Sequence, residues 1–275
     1  MPCLYSKTAP QARTISAQTF TDWHKIPPMK PILVLQHAHY DWPAYFTDCL
    51  TNWEIPFEVV NIAAGDTLPM SIVDYSGFAI MGGAMSVHDA AEFPHLNQTV
   101  DLIYEAMSVR IPVIGHCLGG QLLAKASGGQ VTAAAHKEIG WHDITPIANA
   151  EAYQWFGGLS PVTLFEWHSE FFIPPQRARV IANSLYCPNQ AFILDDIHLG
   201  MQFHCEVLPE KINHWLDTAR EDLIDANDTN IHDAERIRRE SWLHIDNAMA
   251  VARQLYYKWL EHVALDDKTR SRIKP

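Results

Sequence analysis

Cysteine, histidine and glutamate together can perform acyl transfer. A thiolate attacks a carbonyl carbon, an imidazole moves the proton, and a carboxylate holds the imidazole in place. The sequence offers the nucleophile in Pro112-Val113-Ile114-Gly115-His116-Cys117-Leu118-Gly119-Gly120-Gln121. An apolar run gives way there to small residues around one cysteine. This reads as a buried strand ending in a sharp turn into a helix, with Cys117 on the turn. Such a turn strains the nucleophile and lifts its side chain above the sheet. The positive end of the following helix favours thiolate. Gly115 and Gly119 leave room for the chain to pass close by. A buried structural cysteine is the plain alternative. The full context and Gln121 favour the nucleophile.

The base and its orienter are sought in Gly200-Met201-Gln202-Phe203-His204-Cys205-Glu206. Read as a strand, residues two apart point to one face. His204 and Glu206 then face the sulfur while Cys205 turns away. His204 would accept the thiol proton and return it to the leaving amine, and Glu206 would fix the imidazole tautomer. Pro209 is expected to end the strand, placing the pair at a sheet edge. Fifteen histidines make chance His-x-Glu pairs common. His204 is singled out by following a predicted strand downstream of the turn. His37-x-His39 is read as noise rather than a metal site, and no metal is expected. His116 is read as packing, turned away from the sulfur.

Attack on a carbonyl builds negative charge on its oxygen, and each preorganised backbone donor there is worth about 3 kcal/mol. Met81-Gly82-Gly83-Ala84-Met85-Ser86-Val87 follows a predicted strand. Its glycines let amides turn toward a ligand. Gly83 or a neighbour would supply one donor, and Leu118 the other. No Gly-Lys-Ser/Thr follows, which argues against a phosphate loop.

These residues need elements to hold them. Ile32–Gln36, Phe57–Val60, Gly77–Met81 and Ile111–Gly115 read as strands. Trp42–Trp53, Phe93–Val109 and Leu118–Ala126 read as helices between them. Candidate strands follow at Gly140–Ile147, Val162–Trp167, Arg179–Asn183, Ala191–Leu194 and Gly200–His204. Long helices are predicted over Lys211–Ile224 and Ala234–Leu260. The alternation gives an α/β fold: a flavodoxin-like, open, twisted, mostly parallel sheet flanked by helices, with a C-terminal helical extension. The economical parse is a flexible extension over 1–28, one domain over 29–207, and the helical extension over 208–275.

The 48% hydrophobic content can fill one large core, and the net charge of −12 argues against nucleic-acid or anionic-membrane partners. No apolar run approaches the ~20 residues of a membrane span. Five scattered cysteines make neither a disulfide framework nor a zinc ribbon, so a reducing, cytoplasmic setting fits. Residues 1–28 set Lys7, Arg13 and Lys25 against Asp22. That composition is shared by organellar presequences. A disordered extension, or a start codon upstream of Met29, is the preferred reading.

Gly82-Gly83 after a strand, Gly115-x-Cys117-x-Gly119-x-Gln121 and His204-x-Glu206 resemble, in that order, the class I glutamine amidotransferases. The likeness runs toward the glutaminase domain of GMP synthase and its stand-alone relatives, and spans about residues 31–207. Met85-Ser86-Val87 and Trp167-His168-Ser169-Glu170-Phe171-Phe172 are similar to segments that line the glutamine pocket in that family. Gly128-Gly129-x-Val131 and Glu138-x-Gly140-Trp141 also look like this branch. The resemblance implies glutamine hydrolysis through a γ-glutamyl thioester on Cys117, releasing ammonia without a cofactor. It places Gln121 at the substrate's amino-acid end, with Ser169 and Glu170 presenting backbone to it. Gly82, Ser86 and His168 complete the implied pocket. Two positions depart from the family pattern: His116 where relatives often carry Ile, and Trp-His-Ser-Glu where GMP synthases carry Ser-His-Gly-Asp. A γ-glutamyl peptidase using water, and a non-catalytic regulatory or binding protein, are the rival readings. The implied partners are glutamine or a γ-glutamyl compound, with a separate synthetase subunit as one implied acceptor of the ammonia.

Overall fold

A computed structural model describes residues 29–223 and 229–275. The expectation for residues 1–28 lies outside the described residues. Among the described residues nine strands form in chain order: β1 Ile32–Gln36, β2 Phe57–Asn61, β3 Gly77–Ile80, β4 Val113–His116, β5 Gln130–Pro146, β6 Val162–Ile173, β7 Arg179–Asn183, β8 Ala191–Leu194 and β9 His198–Met201. The helices are α1 Tyr45–Asn52, α2 His95–Ser108, α3 Leu118–Ala126, α4 Ala150–Phe156, α5 Pro209–Thr218, α6 Ala234–Leu260 and α7 Asp267–Arg270.

The strands lie in the order β2-β1-β3-β4-β9-β8-β7-β5-β6. The first five are parallel neighbours, and the remaining pairs are antiparallel. The open α/β sheet is therefore as expected, with an antiparallel wing added to its parallel half. Buried strands of that half are apolar on both faces because helices cover both. In β1, Ile32 and Val34 pack into one core with α1, α5 and α6, while Leu33 and Leu35 pack into another with α2 and α3.

The C-terminal helices belong to this core. Along α6, Ile237, Ile245, Ala248, Ala252, Leu255, Tyr256 and Trp259 are buried on one face, and Asp233 caps the helix by accepting from Arg236 N–H. Trp259 reaches the sheet at Gly77, where a Cβ would lie 2.9 Å from its ring.

Several expectations need correction. β9 ends at Met201, so His204 and Glu206 lie beyond the strand, and His204 makes only an isolated bridge to Phe165. The pair is not at a sheet edge either, because β9 sits between β4 and β8 in the middle of the sheet. Pro209 opens α5 rather than merely closing a strand, since its fixed φ suits the first helical turn. That helix stops at Thr218 and continues as a 3-10 turn over Arg220–Leu223. β5 starts at Gln130, not Gly140, and pairs with β6 as a long ribbon with a register shift between Ala133 and Glu138. The first half of β5 is largely exposed, and its run of alanines beside Thr132, His136 and Lys137 gives no bulky apolar segment to read. The short helix α4, capped by Asn149, was also not legible in advance.

Candidate active site

Cys117 sits on the turn between β4 and α3 with φ 48° and ψ −108°. A side chain in that region of backbone space costs roughly 1–3 kcal/mol, which the surroundings must overcome. They do so by close packing. A Cβ on Gly115 would fall 2.3 Å from the carbonyl carbon of Gly119, and one on Gly119 would fall 2.2 Å from the Ile80 carbonyl oxygen. The Cys117 N–H donates to the Met201 carbonyl at 2.9 Å, tying the turn to β9. His116 points the other way, its Nε2 3.0 Å from the Tyr256 hydroxyl. Burial pushes the His116 imidazole down to about 4, against the pull of Glu206.

His204 and Glu206 converge on the same place as Cys117. The His204 Nδ1 lies 2.8 Å from a Glu206 carboxylate oxygen, and both residues are buried. With Nδ1 occupied by Glu206, the Nε2 atom is buried and makes no hydrogen bond, and Cys117 lies near enough to bear on the charge of the ring. Burial disfavours the His204 cation, but Glu206 and then Cys117 outweigh it and raise its pKa well above the ordinary value. Burial likewise opposes the Glu206 charge, yet Lys211 and then His204 hold its carboxyl well below the usual carboxylate range. Cys205 turns away, its sulfur 3.5 Å from the Tyr256 hydroxyl.

The glycine turn after β3 closes the other side. A Cβ on Gly82 would fall 3.1 Å from the His204 ring, and one on Gly83 would fall 3.1 Å from the Leu118 side chain. The two residues named as backbone donors are thus neighbours beside the elbow. Ser86 lies in a turn capped by Asp89, which accepts from its N–H at 2.8 Å. The Lys125 ammonium holds the next carbonyl, that of Val87, at 2.6 Å. His37 is buried near Gly83, with burial and then His95 pushing its imidazole down to about 3, while His39 is exposed.

Gln121 is buried, and its amide donates to the Glu170 carbonyl at 3.2 Å and to Gln202 Oε1 at 3.3 Å. Gln202 in turn directs its amide at the Cys117 sulfur, 3.5 Å away. His168 reaches this wall indirectly. Its Nδ1 is 3.1 Å from the Glu170 carbonyl, and its Nε2 is 3.2 Å from a carboxylate oxygen of both Glu138 and Glu166. Glu138 also accepts from Ser184 and Gln190. Ser169 is exposed. Gln202, Asp41 and Lys211 are the residues that sequence reasoning missed. Asp41 and Lys211 meet at Glu206 only through the fold, and Gln202 carried no spacing signal of its own.

The buried His168 cluster has a measurable signature. Burial opposes the imidazolium, but Glu138 and Glu166 lift its pKa to about 10. A histidine raised in the folded state stabilises fully below its unfolded pKa of about 6.5 and loses that contribution as pH rises through the folded value. Replacing His168 by Asn should therefore cost about 3 kcal/mol near pH 6, the scale for breaking a buried pair. The gap to wild type should narrow as pH approaches 10. Chemical denaturation of both proteins across this range checks it.

The fold is thus an α/β sheet carrying a strained cysteine at the end of a parallel strand, near a buried histidine–carboxylate pair. A family model described as glutamine amidotransferase class-I matches residues 45–218. The chain belongs to that family. It is 30% identical over 170 residues to the glutamine amidotransferase-like protein YfeJ of Salmonella typhimurium, covering 60% of this chain and 71% of that protein. It is 36% identical over 143 residues to one subunit of the glutamine-hydrolyzing GMP synthase of Sulfurisphaera tokodaii, covering 50% of this chain and 72% of that one. Among solved structures, a glutamine amido transferase from Methylobacillus flagellatus superposes with a TM-score of 0.83 at 37% identity, over 86% of this chain and 97% of that one. Among the described residues, no helix is long and apolar enough to cross a membrane.

Proposed function

We propose that the protein hydrolyses the side-chain amide of glutamine through a γ-glutamyl thioester on Cys117. His204 takes the thiol proton, and the sulfur attacks the amide carbon. The tetrahedral oxyanion is met by the amides of Gly83 and Leu118. His204⁺ then protonates the leaving nitrogen, and ammonia departs. Water, deprotonated by the same imidazole, attacks the thioester, and collapse expels the thiolate with glutamate as product. Glu206 stays ionised throughout and holds the ring. The observation that carries this reading is the buried His204–Glu206 pair, 2.8 Å apart, beside a cysteine held on an elbow with φ 48°. The Gly82–Gly83 turn and the Gln121–Glu170 wall support glutamine as the donor.

Water serves as acceptor in the isolated protein, because α5 already braces the site from within the same chain. The name of the Sulfurisphaera relative as a subunit keeps a synthetase partner in view. The test is ammonia release by the purified protein from glutamine, γ-glutamyl amides and γ-glutamyl peptides, with asparagine as control. Turnover of glutamine on the order of 1 s⁻¹ is expected. Preferred cleavage of γ-glutamyl peptides would replace the donor. Rates at background until a synthetase is added would replace the self-sufficient reading.

A further inference from the structure

Lys211 is a fully buried lysine. Its ammonium lies 2.5 Å from Asp41 Oδ1, 2.8 Å from the Trp42 carbonyl and 3.0 Å from Glu206 Oε1. An ammonium has three donors, and each finds an acceptor there. The ammonium joins three separate places: the loop after β1, the segment after β9, and its own helix α5. One turn along α5, Trp215 sets its ring edge-on to His204 at 4.9 Å between centroids, and its indole N–H donates to the Tyr40 carbonyl at 2.6 Å. One face of α5 therefore touches the imidazole with Trp215 and its carboxylate partner with Lys211.

We infer that Lys211, paired with Asp41, is a positioning residue for the proposed reaction, keeping Glu206 charged and aimed at His204 while the proton moves. The inference rests on the functional reading above. Its physical basis is charge alternation. Asp41 and Glu206 are carboxylates sharing one dry site, and two such groups cannot both stay ionised without a cation between them. Lys211 is that cation. Around Glu206 stand Lys211 and Asp41, His116 at the end of β4, Tyr256 from α6, and the neighbours His204 and Cys205. Of these, only Lys211 carries a permanent positive charge. Removing it leaves Glu206 next to Asp41 with imidazoles as the only groups that can carry positive charge, so Glu206 takes up a proton at higher pH. A neutral Glu206 no longer stabilises the imidazolium that forms on His204.

The test compares Lys211→Met, Lys211→Arg and the double variant Lys211→Met/Asp41→Asn in the full chain with wild type, on glutamine. In Lys211→Met, kcat should fall about 10- to 100-fold, the usual scale for groups that orient a site from behind. KM should stay near wild type, and the acid limb of kcat should move up by about 1–3 pH units. The double variant removes both buried charges and answers the concern that Lys211→Met folds poorly. It should fold and still show the lowered kcat. Lys211→Arg should keep the wild-type acid limb. A double variant with wild-type kcat and acid limb makes Lys211 purely structural and overturns the inference. So does a folded Lys211→Met protein with an unmoved acid limb. If wild type itself releases no ammonia, the functional reading fails instead. The inference is then read from the pH dependence of Cys117 alkylation, where identical profiles for wild type and Lys211→Met overturn it.

Discussion

Replacing Cys117 by Ala is expected to take glutamine hydrolysis down about 10⁵-fold or more, to background, while the fold survives. Losing one member of such a unit costs about as much as losing all of it. The fold survives because the thiol's role lies in its chemistry: the turn is held by the Met201 carbonyl and by glycine packing, and alanine keeps both. A γ-glutamyl electrophile should label wild type at Cys117 alone among the described cysteines. Burial pushes the Cys49 thiol up to about 12, and it raises Cys187 and Cys205 as well, so at neutral pH these stay protonated and unreactive. Thermal unfolding, steady-state ammonia release and peptide mapping check the three parts. Labelling at Cys205 with Cys117 untouched would sink the assignment.

Removing the imidazole should be nearly as damaging. His204→Ala is expected to lower kcat about 10⁴-fold or more, because the thiol loses its acceptor and the leaving nitrogen its donor. The variant also leaves the Glu206 carboxylate buried with one partner fewer, so some loss of stability should accompany it. A milder companion separates the roles. Glu206→Gln keeps a group that can bond the ring but loses the negative charge, so its kcat should fall less than that of His204→Ala. Full activity in Glu206→Gln would mean that another carboxylate orients the base. Single-turnover measurements of thioester formation and of its hydrolysis tell which proton transfer suffers more.

The elbow was legible because it is local. An apolar strand, a cysteine and glycines at fixed offsets are all contiguous, and the geometry follows from how closely backbones must pass at Gly115 and Gly119. His204 and Glu206 were legible as residue types at a spacing, but for an incomplete reason. They sit past the end of β9, and what turns them toward the sulfur is a bridge to Phe165 together with the grip of Lys211 and Trp215. No period in the sequence encodes that. A lysine in an amphipathic helix reads as solvent-facing, and only the meeting of α5 with the β1 loop reveals it as buried. His168 illustrates the same limit. Its place in a pocket motif was visible, and Glu166 lies two residues away on the same strand, whereas Glu138 reaches it only through the pairing of β5 with β6.

The middle position of β9 has a consequence for how the chain comes to be active. It is the last strand in sequence among the described residues, yet it fills the place between β4 and β8. Until residues 198–201 are synthesised, β4 has an open edge, and the Cys117 turn lacks the Met201 carbonyl that anchors it. Pairings between segments so far apart along the chain form slowly, because the entropy of closing the loop must be overcome before any contact repays it. His204, Glu206 and Lys211 emerge directly behind that strand. On the proposed mechanism the thiol would gain its base only as the sheet closes, so the proposed activity would appear together with the native state.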